Sequence, residues 1–308
     1  MIRLNVLALV GVLGAGTGLP QPPVPPGSGH LLIDVVAVDR KGLPVTDLRP
    51  GELEVWINGY RVPIDSLSVV TASAGNGGRS LVVILDDMTL PPAVVPRARE
   101  AARHLVERMS PQDQIAIVRL NGDAVDATSD RALLLRSIDE FNVRATGVVR
   151  FDRLSAHVLE TITAVSRQLA ETSDRKKTIV AIGAPWLFDT PIPPPSVGHD
   201  LRKEWTEAMR AMAVAHVNLY VIDPSGVGMS RAAKGTSGFA GETGGYAFTN
   251  TNDLAGAAER IMREAGSYYV VDVVDPPVGR KAELRELDVR ALRRGVSIQA
   301  RRAIPGVR

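Results

Sequence analysis

The strongest constraint on the fold is an alternation of short apolar runs with longer amphipathic segments through the middle of the chain. The apolar runs lie at residues 81–85, 115–120, 178–182 and 217–222, and the amphipathic segments around 94–109, 154–169, 201–212 and 254–262. Such a run is typical of a strand buried on both faces, and apolar residues spaced three or four apart are typical of a helix. The alternation predicts an α/β fold whose mostly parallel sheet has helices on both faces.

The two ends of the chain have a different pattern, in which short apolar runs (31–38 and 268–274) are accompanied by segments whose apolar and polar residues alternate with a period of two. Strands are expected at 31–38, 53–57, 61–70, 268–274, 287–289 and 296–300, and Asn58-Gly59 predicts a hairpin turn. Neither end contains enough apolar residues for a core of its own. We therefore predict that residues 30–72 and 267–303 form one discontinuous β domain, into which an α/β domain of residues 78–265 is inserted.

The first 29 residues predict export. Arg3 is followed by the apolar run 6–16, which is too short to span a bilayer, and then by a Pro-rich stretch. This order is typical of a secretory signal peptide, which we place at residues 1–19, with a linker at 20–29. The expected location is periplasmic or extracellular, with membrane contact only through the signal peptide during export.

Composition excludes several classes of function. Lysine and arginine number 36 against 34 acidic residues, and a net charge of +2 provides no broad basic field for a nucleic acid partner. We interpret the arginines near the end of the chain as the solvated face of strands: Arg290, Arg293, Arg294, Arg301 and Arg302. Since the sequence has no cysteine, disulfides and thiolate metal sites are excluded.

The residues that follow the predicted parallel strands are the candidate partner-binding face, because ligands of α/β sheets gather at the carboxyl ends of strands. The candidates are Asp86, Asp87, Thr89, Trp186, Phe188, Asp223 and Ser225. Trp186 and Phe188 lie in a long Pro-rich loop and are candidate anchors, since tryptophan is enriched at interface hot spots. The alternative is that both pack this loop against its own domain.

Several segments resemble exported bacterial VWFA-related proteins. They are 39–48 (DRKGLPVTDL), 53–59 (LEVWING), 217–223 (VNLYVID), 242–254 (ETGGYAFTNTNDL), 267–269 (SYY) and 300–302 (ARR). The resemblance covers roughly residues 31–302. It implies a von Willebrand factor A-like, Rossmann-like fold in the centre of the chain, and a role in protein–protein adhesion or envelope assembly.

The resemblance also implies a divalent cation site, with Asp-x-Ser-x-Ser after the first sheet strand and an Asp after the fourth. Counted from Asp87, Thr89 fits the second position of the motif, but Pro91 occupies the third. Counted from Asp86, residues without an oxygen ligand, Met88 and Leu90, occupy both positions.

The fourth-strand aspartate of this motif is also absent, because Gly183-Ala184 stands in its place. We therefore expect no cofactor, and we regard Asp86, Asp87 and Thr89 as vestigial candidates for Mg²⁺. Asp86-Asp87 could instead cap the following helix, where carboxylates are favourable.

Enzymatic alternatives fit less well. A haloacid-dehalogenase-type phosphohydrolase needs Asp-x-Asp-x-Thr after a buried strand, and the spacing of Asp86, Asp87 and Thr89 differs from it. No serine lies in Gly-x-Ser-x-Gly, and the five histidines lack metal-ligand spacing. We predict non-catalytic, metal-independent recognition of a protein or envelope component. The alternatives are Mg²⁺-dependent adhesion, a Mg²⁺-dependent phosphohydrolase, and assembly through the edge strands of the β domain.

Overall fold

The computed structural model describes residues 29–71, 78–143, 151–172, 175–185, 201–228, 238–276 and 281–306. The predicted signal peptide, and the linker apart from Gly29, lie outside this range. Within it, no helix is long and apolar enough to cross a membrane.

Four strands open the described chain: β1 (His30–Val38), β2 (Leu53–Ile57), β3 (Tyr60–Val62) and β4 (Ile64–Thr71). The predicted hairpin turn joins β2 to β3, with positive φ at both Asn58 (47°) and Gly59 (77°). The prediction of one continuous returning strand over residues 61–70 is wrong in one respect. It is divided at Pro63, and β3 and β4 belong to different sheets.

The middle of the chain, which we call the α/β unit (residues 79–266), alternates strands and helices. Its strands are β5 (Arg79–Leu85), β6 (Gln114–Arg119), β7 (Ala124–Thr128), β8 (Lys176–Ile182), β9 (Val217–Ile222) and β10 (Tyr246–Phe248). Its helices are α1 (Val95–Glu107), α2 (Arg131–Glu140), α3 (Phe151–Ala170), α4 (Arg202–Val214), α5 (Phe239–Glu242) and α6 (Leu254–Gly266). Sequence analysis did not predict β7, α2, α5 or β10.

The six strands of the α/β unit form one sheet in the order β10-β9-β8-β5-β6-β7, and all neighbours are parallel except β7, which is antiparallel to β6. Both faces of the sheet are covered. Val82 and Ile84 of β5 pack with α3 and α4, whereas Leu81, Val83 and Leu85 pack with α1, α2 and α6. This two-sided burial explains the continuous apolar run, and the predicted mixed α/β architecture is confirmed at this level.

Four more strands close the chain: β11 (Ser267–Val274), β12 (Leu284–Ala291), β13 (Ser297–Ala300) and β14 (Ala303–Pro305). Together with β1–β4 they form what we call the β unit, two sheets in the orders β13-β1-β11-β4 and β14-β12-β2-β3. The sheets share one core, which includes Val35, Val55, Val271 and Leu287. Strands from the two ends of the chain thus pair within each sheet, and the division into a discontinuous β domain and an inserted α/β domain stays a prediction.

The β unit contacts the α/β unit at the amino edge of the parallel sheet. Lys176, the first residue of β8, donates a hydrogen bond from Nζ to Asp34 Oδ2 of β1 at 2.6 Å. Arg301 donates to the backbone oxygens of Met212 and Val217, each at 3.4 Å. Arg301 is only 5% exposed, so the interpretation of this arginine as a solvated residue is wrong.

Candidate functional site

The strand order creates a crevice at the centre of the sheet, on the edge opposite the β unit. The chain passes from β5 to β6 on one side and from β8 to β9 on the other, so the carboxyl ends of β5 and β8 flank the switch point of the topology. Ligands of open α/β sheets bind at such a point. Asp86 and Asp87 follow β5 there, and Gly183 and Ala184 follow β8.

Asp86 organises the loop after β5. Its side chain is fully buried, and Oδ1 accepts hydrogen bonds from the backbone N–H of Met88 (3.1 Å) and of Thr89 (2.8 Å). Oδ2 accepts from the Thr89 hydroxyl and, at 3.4 Å, from the backbone N–H of Ala184. The carboxylate therefore closes its own turn and links the ends of β5 and β8.

The idea that Asp86-Asp87 caps the following helix is wrong. Helix α1 begins at Val95, after a short 3₁₀ segment at Pro92–Val94, and its N-cap residue Val94 makes no side-chain hydrogen bond to it. Residues 86–94 separate β5 from α1, so Asp86 is too far from the helix to cap it and caps the turn at 86–89 instead.

Asp87 links the ends of β5 and β6. Its Oδ1 accepts from the backbone N–H of Asn121 at 3.2 Å, and its Oδ2 accepts from the Asn121 side-chain amide. Asp87 is fully buried. Sequence reasoning missed Asn121, although a polar residue directly after the predicted strand at 115–120 was the available signal.

Asp223 follows β9 and differs from the other two aspartates. It is fully buried, and Oδ1 accepts from the backbone N–H of Ser225 at 2.9 Å. Its Oδ2 is buried and has no hydrogen-bond partner within the described part of the chain. Strand β8 lies between β5 and β9, so Asp223 shares the edge of the sheet with Asp86 and Asp87 at a separate position.

The loop after β9 is held by its neighbours. Arg97 of α1 donates from Nε to the Pro224 oxygen at 2.7 Å and from Nη2 to Asn252 Oδ1 at 3.3 Å. Gly226 has a φ of +91°, and a Cβ there would lie 2.7 Å from Asn252 Oδ1, so a side chain would be strained. Val227 at the tip is 61% exposed. This edge therefore presents an apolar side chain on a braced loop.

The remaining predicted site residues are placed as follows. Thr89 and Ser225 are half-buried, and Asp86 accepts a hydrogen bond from the Thr89 hydroxyl. Trp186 and Phe188, the candidate anchors, lie outside the described residues.

The loops after β5 and β8 do not fit a divalent cation of the implied kind. Such a cation needs several oxygen ligands, and Mg²⁺ requires nearly octahedral geometry. Both oxygens of Asp86 already accept hydrogen bonds from the chain, and Met88, Leu90 and Ala184 offer no oxygen from their side chains. At the same edge of the sheet, the Oδ2 atom of Asp223 is buried and accepts no hydrogen bond from the described residues.

No protein-family model and no curated protein matches this chain. Matches were found among solved structures. An aerotolerance-related membrane protein from Bacteroides fragilis NCTC 9343, solved with multiple mutations to serine, is 14% identical at a TM-score of 0.41. That match covers 61% of this chain and 98% of the other. The conserved hypothetical protein BatB from Bacteroides thetaiotaomicron is 16% identical at a TM-score of 0.34, with coverages of 61% and 87%.

Proposed function

We propose that the α/β unit is a von Willebrand factor A-like recognition unit of an exported protein. It binds a protein or a component of the cell envelope through the carboxyl edge of its sheet, without catalysis and without a divalent cation. The observation that carries this proposal is the Asp86 carboxylate, whose two oxygens accept four hydrogen bonds from its own chain.

The topology supports the fold assignment. Numbered within the α/β unit, the strands follow the order 3-2-1-4-5-6 of doubly wound sheets, with an antiparallel strand at one edge. The segments that resemble VWFA-related proteins lie in both units. Since one fold can carry many functions, the functional argument depends on the carboxyl edge itself.

The state of the aspartates favours recognition over catalysis. A nucleophilic or acid–base carboxylate must reach its substrate at hydrogen-bonding distance. Asp86 and Asp87 are fully buried, and their oxygens accept hydrogen bonds from residues 88, 89, 121 and 184. The two aspartates stabilise the loops that follow β5, β6 and β8. A partner therefore meets a surface that is already ordered, which lowers the entropic cost of binding.

The recognition surface is tested by comparing two exposed apolar residues, one in each unit of the molecule. Val227 at the carboxyl edge is 61% exposed, and Leu292, after β12 in the β unit, is 54% exposed. We expect Val227→Asp to abolish recovery of the partner from envelope extracts, because a charge would be buried at the interface. The Leu292→Asp variant should recover the partner as the unchanged protein does.

The reverse result would contradict the proposal. A partner retained by Val227→Asp and lost with Leu292→Asp would favour assembly through the β unit. Substitution of Trp186 and Phe188 by alanine tests the anchor role separately, since unchanged recovery would exclude it.

Metal dependence is tested by thermal unfolding with Mg²⁺, with Mn²⁺ and with a chelator. We expect the same Tm before and after Mg²⁺ is added to protein that has first been freed of bound metal. A cation at ~100 times its Kd would add roughly 2.7 kcal/mol and raise the Tm by several degrees. A Mg²⁺-dependent rise that disappears in Asp223→Asn would instead support cation-dependent adhesion, the alternative that the unpartnered Asp223 Oδ2 favours.

A further inference from the structure

A second group of potential ligands lies on the β unit, away from the carboxyl edge. His30 of β1, Asp65 of β4 and Asp272 of β11 each offer one ligand atom, and these atoms all lie within 4.8 Å of one another. Asp272 stands between Val271 and Val273, which are both buried in the core of the β unit. The carboxylate therefore projects from the opposite, outer face of the sheet.

The sheet register brings the three residues together. Asp272 is paired with Leu32, and His30 lies two residues before Leu32 on the same face of β1, within diagonal reach of Asp272. On the other side of β11 lies β4, and the register between these two strands shifts: Asp272 is paired with Ser66, whereas Val273 is paired with Ile64. Asp65 is the extra residue of this bulge, and bulges re-aim side chains.

The distances are close to those of a metal site. His30 Nδ1 lies 3.1 Å from Asp272 Oδ1. Tetrahedral zinc with ligand bonds of about 2.0–2.1 Å separates neighbouring ligand atoms by roughly 3.3 Å. The Asp65 oxygen, within 4.8 Å of the other two ligand atoms, needs to approach by no more than about 1.5 Å, and its exposed side chain can rotate to do so.

The three side chains have few competing interactions. Within the described residues, Asp65 makes no hydrogen bond or ion pair, and His30 and Asp272 pair with each other. Two carboxylates beside a neutral imidazole carry a net charge of −2, which a divalent cation would neutralise. One nitrogen and two oxygens are a ligand set of the kind that zinc accepts.

We propose that His30, Asp65 and Asp272 bind one Zn²⁺ ion, with water completing its coordination. The ion joins the beginning of β1 to β4 across the central strand β11. It therefore stabilises the pairing of β1 and β4 with β11 in this sheet.

The test is a zinc titration of the untagged full chain by calorimetry after treatment with a chelator. We expect one Zn²⁺ per chain, with His30→Ala and Asp65→Asn each weakening binding at least tenfold. His104→Ala is the matched control, because this histidine also lies near two carboxylates, Glu100 (3.7 Å) and Glu107 (3.1 Å). The zinc affinity of the His104→Ala variant should equal that of the unchanged protein.

Several outcomes would overturn the proposal. They are no zinc binding by the unchanged protein, unchanged affinity in His30→Ala and Asp65→Asn, and loss of binding in His104→Ala. Far-UV circular dichroism of each variant checks that it is folded, and Asp272→Asn serves as a replacement for a variant that is not. Zinc binding that is lost in Asp223→Asn and kept in His30→Ala would place the ion at the carboxyl edge and contradict the site proposed here.

Discussion

Buried aspartates lie at both edges of the parallel sheet, but their carboxylates have different kinds of partner at the two edges. At the amino edge, Asp34 receives a cation, Lys176, from the other unit, and the Tyr268 ring lies 4.4 Å from the same ammonium group. At the carboxyl edge, Asp86 and Asp87 accept hydrogen bonds from loops of their own unit. The amino edge thus joins two units, and the carboxyl edge shapes a surface.

This difference has an electrostatic basis. Burial alone would raise the pKa of Asp34, but the Lys176 ammonium, 2.6 Å away, lowers it below its ordinary value. Such a pair tolerates little change, because the loss of one partner leaves the other charge buried. A carboxylate that is held by several N–H and O–H groups depends less on any one of them.

The largest expected effect is at the amino edge. Lys176→Met leaves Asp34 buried without its cation, and we expect a loss of about 3–5 kcal/mol in the free energy of unfolding, measured with urea. The side chains of Lys176 and Asp34 are only 5% and 12% exposed. Asp34→Asn combined with Lys176→Met should regain most of this loss, and Lys203→Met, at an exposed position of α4, should change little. A double variant as unstable as the single one would contradict the ion-pair explanation.

A substitution at the carboxyl edge should reduce stability less than Lys176→Met does at the amino edge. Asp86→Ala leaves the N–H groups of Met88, Thr89 and Ala184 without their acceptor, and we expect a loss of about 2–3 kcal/mol in the same measurement. Asp86→Asn keeps one acceptor oxygen and should lose about half as much. Asp126→Ala on the exposed side of β7 is the control. A larger loss than that of Lys176→Met would reverse the comparison of the two edges.

The pH dependence tests the sign of the Asp34 shift. The pKa of Asp34 in the folded protein lies below the usual 3.8, so the unfolded chain takes up the proton first as the pH falls. The stability that the pair provides is therefore present above pH 3.8 and is lost as the pH falls through the folded value. The difference in the free energy of unfolding between the unchanged protein and Asp34→Asn should become smaller as the pH falls from 7 to 4 and then to 3, measured with urea at each pH. A difference that widens would show that the shift has the opposite sign.

The smallest effect is expected for an ion pair at the surface. Arg167 of α3 and Glu207 of α4 lie 2.5 Å apart, with side chains 65% and 42% exposed. Arg167→Ala should reduce stability by about 1 kcal/mol or less, because water and salt screen the pair. Repeating the urea measurement in 1 M salt should reduce the difference further. An effect near that of Lys176→Met would mean that burial does not explain the amino edge.

The parallel strands and most of the long helices could be predicted because both faces of the sheet are buried. Strand β7 was missed because it lies at the sheet edge and all five of its residues are exposed or half-buried, so it has no apolar period. Helix α2 buries only Leu134, Ser137 and Ile138, too few for a recognisable stripe.

The candidate site was predictable in position and less so in detail. The position of Asp86, Asp87 and Asp223 was predictable because each follows an apolar run that is easily recognised as a strand, and parallel strands end at the same edge of a sheet. The partners of Asp86, and the burial of Arg301 against Met212 and Val217, depend on residues distant in the sequence. A single sequence contains no local signal for such contacts.

The central position of β11 in its sheet has a consequence for the time course of folding. His30 and Asp272 meet across a sequence separation of 242 residues, so β1 has no β11 to pair with until nearly the whole chain exists. At a synthesis rate of about 5–20 residues per second, that interval is roughly 12 to 50 s. Closing so long a loop is entropically costly and slow, and the strand edges stay open to other chains meanwhile. Strand β1 is therefore among the last of the described strands to find its place, and we expect a chaperone that shields such strands to increase the yield of folded protein.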